Sequence, residues 1–412
     1  MSLDLIKSFV ETANNRDCDF PLNNLPFGVC FEKSKQKCFS ATVIGDQVLN
    51  LTYAEELDLI PDLGFRNVLL NSFMSKGSSA RKEIRKILQE LLTENSKKMS
   101  AVRRCLIPLN SCTNSKAFEV SEYTDFYSCK NHALNASKII RGENAELSKN
   151  WYNLPVAYNG RASSVVITGS DIQRPSGQIY DQNNGIVKFE PTKKLDFELE
   201  MGTVIGGSLP IGDTLDFERA ENLIFGYVLL NDWSARDIQA WEYQPLGPFL
   251  SKSFGTSISP WIVSPEALEP FKTTPPKRVF QLLPHFEDDK AFVFDIDLKV
   301  TLVEQGGTET DILETNAKEL YYSPVQQLIH HASAGCGISI GDLMGSGTIS
   351  GIEKGSFGCM LELSWGGREK IALSSGKKRD FLQDNDTVIL NGTAIEEKFK
   401  IGFSSCSGRI IN

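Results

Sequence analysis

Residues 195–201 read Leu-Asp-Phe-Glu-Leu-Glu-Met, a strict alternation of apolar and acidic side chains. Successive side chains of a β-strand point to opposite faces. As a strand, the segment puts Leu195, Phe197, Leu199 and Met201 on one face and Asp196, Glu198 and Glu200 on the other. Neighbouring carboxylates repel, and burial would raise their pKa values. Two outcomes follow. Either the acidic face is the solvated side of an edge strand, or Glu198 and Glu200 hold a hard divalent cation, which prefers carboxylate oxygen.

Around this strand the chain is β-rich. Runs at 164–168, 223–230, 292–303, 359–363 and 387–390 read as further strands, and 126–140, 233–242 and 324–334 as helices. Residues 1–115 read as a separate small β-barrel with an attached helix. Short β-like runs at 27–31, 39–44 and 47–51 precede a helix at 79–92, whose Ile84, Ile87, Leu88, Leu91 and Leu92 form one stripe. The polar stretch 93–100 reads as a linker. No second linker is visible, so 116–412 forms one mainly β or α+β domain.

Charge narrows the partners. The 412 residues carry 43 Lys and Arg against 52 Asp and Glu, a net charge of −9. That excess opposes nonspecific binding to nucleic acid or anionic membranes. No run of about 18 apolar residues suggests a membrane span. The first residues lack a signal-peptide pattern, and nine cysteines include no C-x-x-C pair. A reduced cytoplasmic protein is the expectation.

More acids and bases gather near the alternating strand in character. Asp232 closes the apolar run 223–230 and reads as the N-cap of a helix. From it, Arg236, Gln239 and Tyr243 fall at helical spacing on one face, suited to a small polar substrate; a solvated Asp232–Arg236 pair is the plainer alternative. There are four histidines. His132 stands seven residues after Asp125, two helical turns, so both could face one pocket. Histidine is the natural general base, although a lone structural histidine is the default. Glu362, between apolar residues in an expected strand, needs a partner if buried, and a histidine is a natural one. The glycines of 341–351 miss the dinucleotide fingerprint and serve turns or close backbone approach.

Five blocks together resemble the fumarylacetoacetate hydrolase family: 123–128 (YTDFYS), 195–202 (LDFELEMG), 231–239 (NDWSARDIQ), 249–254 (FLSKSF) and 346–351 (SGTISG). The resemblance runs along essentially the whole chain. It implies an N-terminal SH3-like barrel, a C-terminal mixed β-sandwich roll and a homodimer. It implies hydrolysis of the carbon–carbon bond of 4-fumarylacetoacetate, a dicarboxylate β-diketone, in tyrosine and phenylalanine breakdown. Carried over, Asp125, Glu198, Glu200 and Asp232 would bind calcium, and Asp232, Lys252 and Thr256 would face a magnesium ion. His132 would activate water, oriented by Glu362. Arg236, Gln239 and Lys252 would stabilise the oxyanion. Tyr127, Arg141, Gln239, Tyr243 and Thr348 would contact substrate. The alternatives are a related acylpyruvate hydrolase and a noncatalytic metal-binding module.

Overall fold

The computed structural model describes residues 4–412. In the N-terminal part, strands Phe27–Glu32, Lys37–Ile44, Gln47–Asn50, Leu106–Pro108 and Cys112–Ser115 form one five-stranded antiparallel sheet. The helix Gly77–Leu92 packs against the strand Ile224–Asp232, with Ile84, Leu88, Leu91 and Leu92 buried as its apolar spacing requires. The polar stretch after it turns tightly into the short helix Met99–Arg103, with Thr93 bridged back to Ser8.

Two larger sheets build the rest. The first has seven strands, ordered Ala157–Asn159, Tyr123–Phe126, Leu343–Gly345, Leu199–Ile205, Ile224–Asp232, Thr256–Ile258, Val165–Ile167. The second has six and is led by Glu309–Asn316, Asp297–Val303, Thr387–Ile395 and Cys406–Ile411. Period-two alternation lets the seven-stranded sheet serve two cores. Leu199, Met201, Tyr227 and Leu229 pack toward Leu298, Val300, Val388 and Leu390 of the second sheet. Val204, Val228 and Leu230 pack on the other side against Phe27, Phe73 and Leu88 of the N-terminal part. The hydrophobic core therefore runs continuously across residue 115.

Three local expectations are corrected. The alternating segment is not one strand. Leu195–Asp196 pairs with Ser234–Ala235, while Leu199–Ile205 pairs with Ile224–Asp232. Between them the Phe197 amide donates to the Asp196 carboxylate and the Glu198 amide to Asn231 Oδ1, so neither is free for a ladder. Secondly, 126–140 is not a helix throughout. Asp125 ends up in the strand Tyr123–Phe126, and the helix is Lys130–Arg141. Thirdly, 359–363 is not a strand but the helical turn Met360–Leu363, whose first amides bond to the Asp196 carboxylate.

The two halves are also joined by charge. Arg81 of the Gly77–Leu92 helix is buried, with Nη2 2.9 Å from Glu266 Oε1 and Nη1 donating to the Ile224 carbonyl at 2.7 Å. Removing one member of a buried pair strands the other charge, at about 3–5 kcal/mol. Arg81→Ala should lower the unfolding free energy in urea by about that amount. A loss below about 1 kcal/mol, the worth of a surface pair, would show that the halves do not depend on it.

Candidate active site

The register of the seven-stranded sheet brings the acids together. Asp125 lies beside Gly345, Asp232 beside Thr256, and Glu200 beside Leu230, all toward one end of the sheet. Oxygens of Asp125, Glu198, Glu200 and Asp232 lie within 4.8 Å of one another, and all four residues are buried. The solvated-face reading of the alternating segment is thereby corrected: Asp196, Glu198 and Glu200 are 0%, 6% and 0% exposed. Glycine makes the approach possible. A Cβ on Gly345 would sit 2.7 Å from Asp125 Oδ1 and 2.8 Å from Glu200 Oε2. Gly347, at φ +79°, adopts a left-handed conformation and donates its amide to Glu200 Oε2 at 3.0 Å.

Two cations compensate one side of this cluster. Lys252 Nζ donates to Glu198 Oε2 at 2.5 Å and to Asp232 Oδ2 at 2.8 Å. Arg236 Nη2 lies 2.7 Å from Glu198 Oε1, a Coulombic contact without hydrogen-bond alignment. Burial pushes Glu198 up, but Lys252, Arg236 and His132 outweigh it and hold the carboxyl below the usual range. Burial likewise opposes the Lys252 charge, and Asp232 and Glu198 overcome that, keeping the ammonium protonated.

The other side lacks such help. Burial drives Asp125 well above the usual carboxylate range, with Asp232 adding to it. Burial, then Asp125 and Asp232, do the same to Glu200. Asp125 Oδ1 and Glu200 Oε1 are buried with no hydrogen-bond partner. Four carboxylates with two orphaned oxygens are the donor set of a hard divalent cation, so this cluster can hold a metal ion. Lys252 is no ligand in this state, because a protonated ammonium has no lone pair. Thr256 Oγ1 stands 3.4 Å from Asp232 Oδ1.

Beside the cluster lies a histidine–carboxylate pair. His132 Nδ1 is 2.6 Å from Glu362 Oε2. Glu362 Oε2 also accepts from Ser350 Oγ at 2.7 Å and Cys359 Sγ at 3.2 Å, and Oε1 from Asn135 Nδ2 at 2.9 Å. Burial raises Glu362, but His132, Asn135 and Ser350 overcome it and keep it ionised. Both Glu362 oxygens are thus engaged by neighbouring donors. The ring of Tyr127 packs edge-on against His132, 5.3 Å between centroids.

Both groups open into one cavity of about 950 Å³. Asp125, Glu198, Lys252, His132, Arg236 and Gln239 line it, and Tyr127, Tyr243 and Thr348 are in its wall. Arg236, Gln239 and Tyr243 share a face of the region opened by the helix Arg236–Glu242 as the spacing implied, with Arg236 Nη1 donating to Gln239 Oε1 at 3.1 Å. Asp232, however, is not the N-cap. It ends its strand, and Ala235 precedes the helix. Nor does helical spacing unite Asp125 with His132; a strand and the following helix do. Arg141 is outside the cavity lining, exposed, with Nη2 on Ser137 Oγ and the Glu146 carbonyl.

Several site residues gave no sequence signal. Tyr158 donates to Asp232 Oδ2 at 2.5 Å and lies 3.1 Å from Asp125 Oδ2, bridging the two acids. Nothing around Tyr158 in sequence marks it. Asn135, which donates to Glu362, was equally silent, and Ser350 was marked only as part of the block 346–351. Lys194 and Arg368 line the cavity without an ion pair among the described residues.

Comparison with known proteins agrees along the chain. The family described as fumarylacetoacetase N-terminal matches residues 23–115, and fumarylacetoacetate (FAA) hydrolase C-terminal matches residues 122–402. The chain is 43% identical to fumarylacetoacetase of Bos taurus, covering 98% of each chain. It is 41% identical to that of Arabidopsis thaliana, covering 99% of each. Among solved structures, a fumarylacetoacetate hydrolase from Exiguobacterium antarcticum shares the fold at TM-score 0.52 and 16% identity, covering 94% of this chain and 99% of that one.

The shifts of Asp125 and Glu200 fix how the site responds to pH. Their folded pKa values lie above the unfolded ones. Their contribution to the stability of metal-free protein is therefore complete below the unfolded pKa and lost as pH rises through the folded one. A metal takes only the ionised carboxylates, so binding releases protons and affinity rises with pH. Calcium titration calorimetry in buffers of different ionisation enthalpy should detect that release. The gap in melting temperature between calcium-loaded and chelator-treated protein should widen as pH rises. A constant gap with no proton release would refute this account of the cluster.

Proposed function

The chain belongs to the fumarylacetoacetate hydrolase family, and on that premise we propose that it hydrolyses 4-fumarylacetoacetate to fumarate and acetoacetate, the last step of tyrosine and phenylalanine breakdown. The observation that carries this reading is the His132–Glu362 pair opening into the same cavity as the four-carboxylate cluster. A noncatalytic metal-binding module would leave that buried pair without a role.

In this reading His132 is the general base. Its Nδ1 is committed to Glu362, which leaves Nε2 to take a proton from water. The hydroxide equivalent attacks the carbonyl carbon on the fumaryl side of the diketone. Arg236, Lys252 and Gln239 present N–H donors for the oxyanion that develops, a type of contact worth about 3–4 kcal/mol per donor. Collapse breaks the carbon–carbon bond. The fumaryl carbon leaves as a carboxylic acid that ionises, and the acetoacetate carbon takes the proton held on His132. A divalent cation held by Asp125, Glu198, Glu200 and Asp232 would polarise the diketone oxygens and stabilise the leaving carbanion as an enolate.

We assign calcium to the four-carboxylate cluster, because a hard cation with several oxygen ligands suits its donors, and magnesium to the neighbourhood of Asp232, Lys252 and Thr256. The substrate is a dianion. Tyr127, Gln239, Tyr243 and Thr348 contact it from the cavity wall, and the unpaired Lys194 and Arg368 add positive charge there. Arg141, which the family resemblance also names, would have to leave its present bonds to Ser137 and Glu146 to reach it. We further assign the protein to the cytoplasm as a homodimer. Nine free cysteines suit a reducing compartment, and no helix of the described residues is long and apolar enough to cross a membrane.

Two measurements test this. Loss of diketone absorbance should report turnover of 4-fumarylacetoacetate with calcium and magnesium present, and a chelator should suppress it. His132→Ala should reduce kcat by at least about 100-fold while leaving calcium affinity nearly intact. Glu200→Ala should instead weaken calcium binding. No turnover by the wild-type protein under these conditions would sink the assignment.

A further inference from the structure

Asp196 takes no part in the chemistry above, yet it is wholly buried and accepts four hydrogen bonds. Oδ1 accepts from the Phe197 amide at 2.8 Å and the Met360 amide at 2.7 Å. Oδ2 accepts from the Leu361 amide at 2.9 Å and Arg236 Nε at 2.8 Å. These donors belong to two arms of the site. Arg236 opens the helix whose guanidinium faces Glu198 and Gln239. Met360 and Leu361 open the turn that carries Glu362.

That turn depends on outside support. Met360–Leu363 is a single turn of four residues, and Cys359 before it makes no side-chain cap. One turn fixes several dihedrals for very few internal bonds, and its first amides have no partner within it. Asp196 supplies the partner for two of them. The same carboxylate takes Arg236 Nε and so leaves the far end of the guanidinium directed at Glu198.

We propose that Asp196 is a positioning residue that uses one carboxylate to set both arms, the Arg236 guanidinium and the turn that aims Glu362 at His132. This rests on the hydrolytic reading of the site. Asparagine has nearly the same shape but one acceptor oxygen, and its NH2 would oppose either the Leu361 amide together with Arg236 Nε–H, or the Phe197 and Met360 amides. Misplacement of reacting groups by about 1 Å costs about 100-fold in rate.

The test is Asp196→Asn in the full chain, assayed on 4-fumarylacetoacetate with calcium. The expected result is a fall in kcat of about 100-fold, with KM and calcium affinity little changed. The downfield proton resonance of the short His132–Glu362 hydrogen bond should shift or vanish. Double-mutant cycles with Arg236→Lys and with Glu362→Gln should both be less than additive, because the residues act as one unit. Unchanged kcat, equal loss of kcat and calcium affinity, or full additivity in either cycle would overturn the proposal. Should Asp196→Asn fail to fold, Met360→Pro removes one amide donor at the first helical position, where proline is tolerated. It should lower kcat and disturb the His132 resonance, and unchanged values of both would overturn the proposal. Absence of wild-type turnover would instead defeat the hydrolytic reading, and the His132 resonance would still report on Asp196.

Discussion

Four carboxylates are packed within 4.8 Å of one another at the end of a buried sheet. Taking such charges out of water is expensive, and their mutual repulsion adds to the cost. Much of the surrounding structure addresses that problem. Lys252 and Arg236 neutralise the Glu198 side, Tyr158 bridges Asp125 and Asp232, and the Gly347 amide caps Glu200. Two oxygens remain unserved, Asp125 Oδ1 and Glu200 Oε1. A hard divalent cation could take up both of them.

The frame that holds these charges needs both halves of the chain. The seven-stranded sheet is covered on one side by the second sheet and on the other by the N-terminal part. A sheet buried on both faces is stiff, because its side chains are locked by close packing on either side. Carboxylates at its end are therefore held together against their repulsion. His132 sits on a different element, the helix Lys130–Arg141, and its partner Glu362 on a short turn. Separate elements allow a charged cluster and a hydrogen-bonded histidine to share a cavity while each keeps its own surroundings.

Legibility in the sequence followed range. The apolar stripe of Gly77–Leu92 and the strand Ile224–Asp232 were visible because periodicity is a local property. The alternation at 195–201 marked Glu198 and Glu200, but it also implied one continuous strand. Side-chain acceptors on Asp196 and Asn231 break it, the first within the segment itself and the second from a strand 33 positions away. Glu362 was read as a strand residue because apolar flanks look alike in a buried strand and a buried turn. Asp125 and His132 were joined by a helical period that does not exist between them, although both do reach the cavity.

By itself, the sequence determined which residue types were available for chemistry, and its block pattern matched a family whose activity those types can support. It also determined the acidic excess of −9, which opposes nonspecific binding to polyanions. Only the tertiary structure decided that the acids are buried rather than solvated, because burial depends on what packs over a face and not on the face itself. It set His132 Nδ1 against Glu362 across 230 positions, a pairing the family resemblance implied, and it alone joined Asp196 to Met360 across 164. Hydrogen bonds are short and directional, so contacts between residues that distant exist only after the sheets and the turn have been brought together.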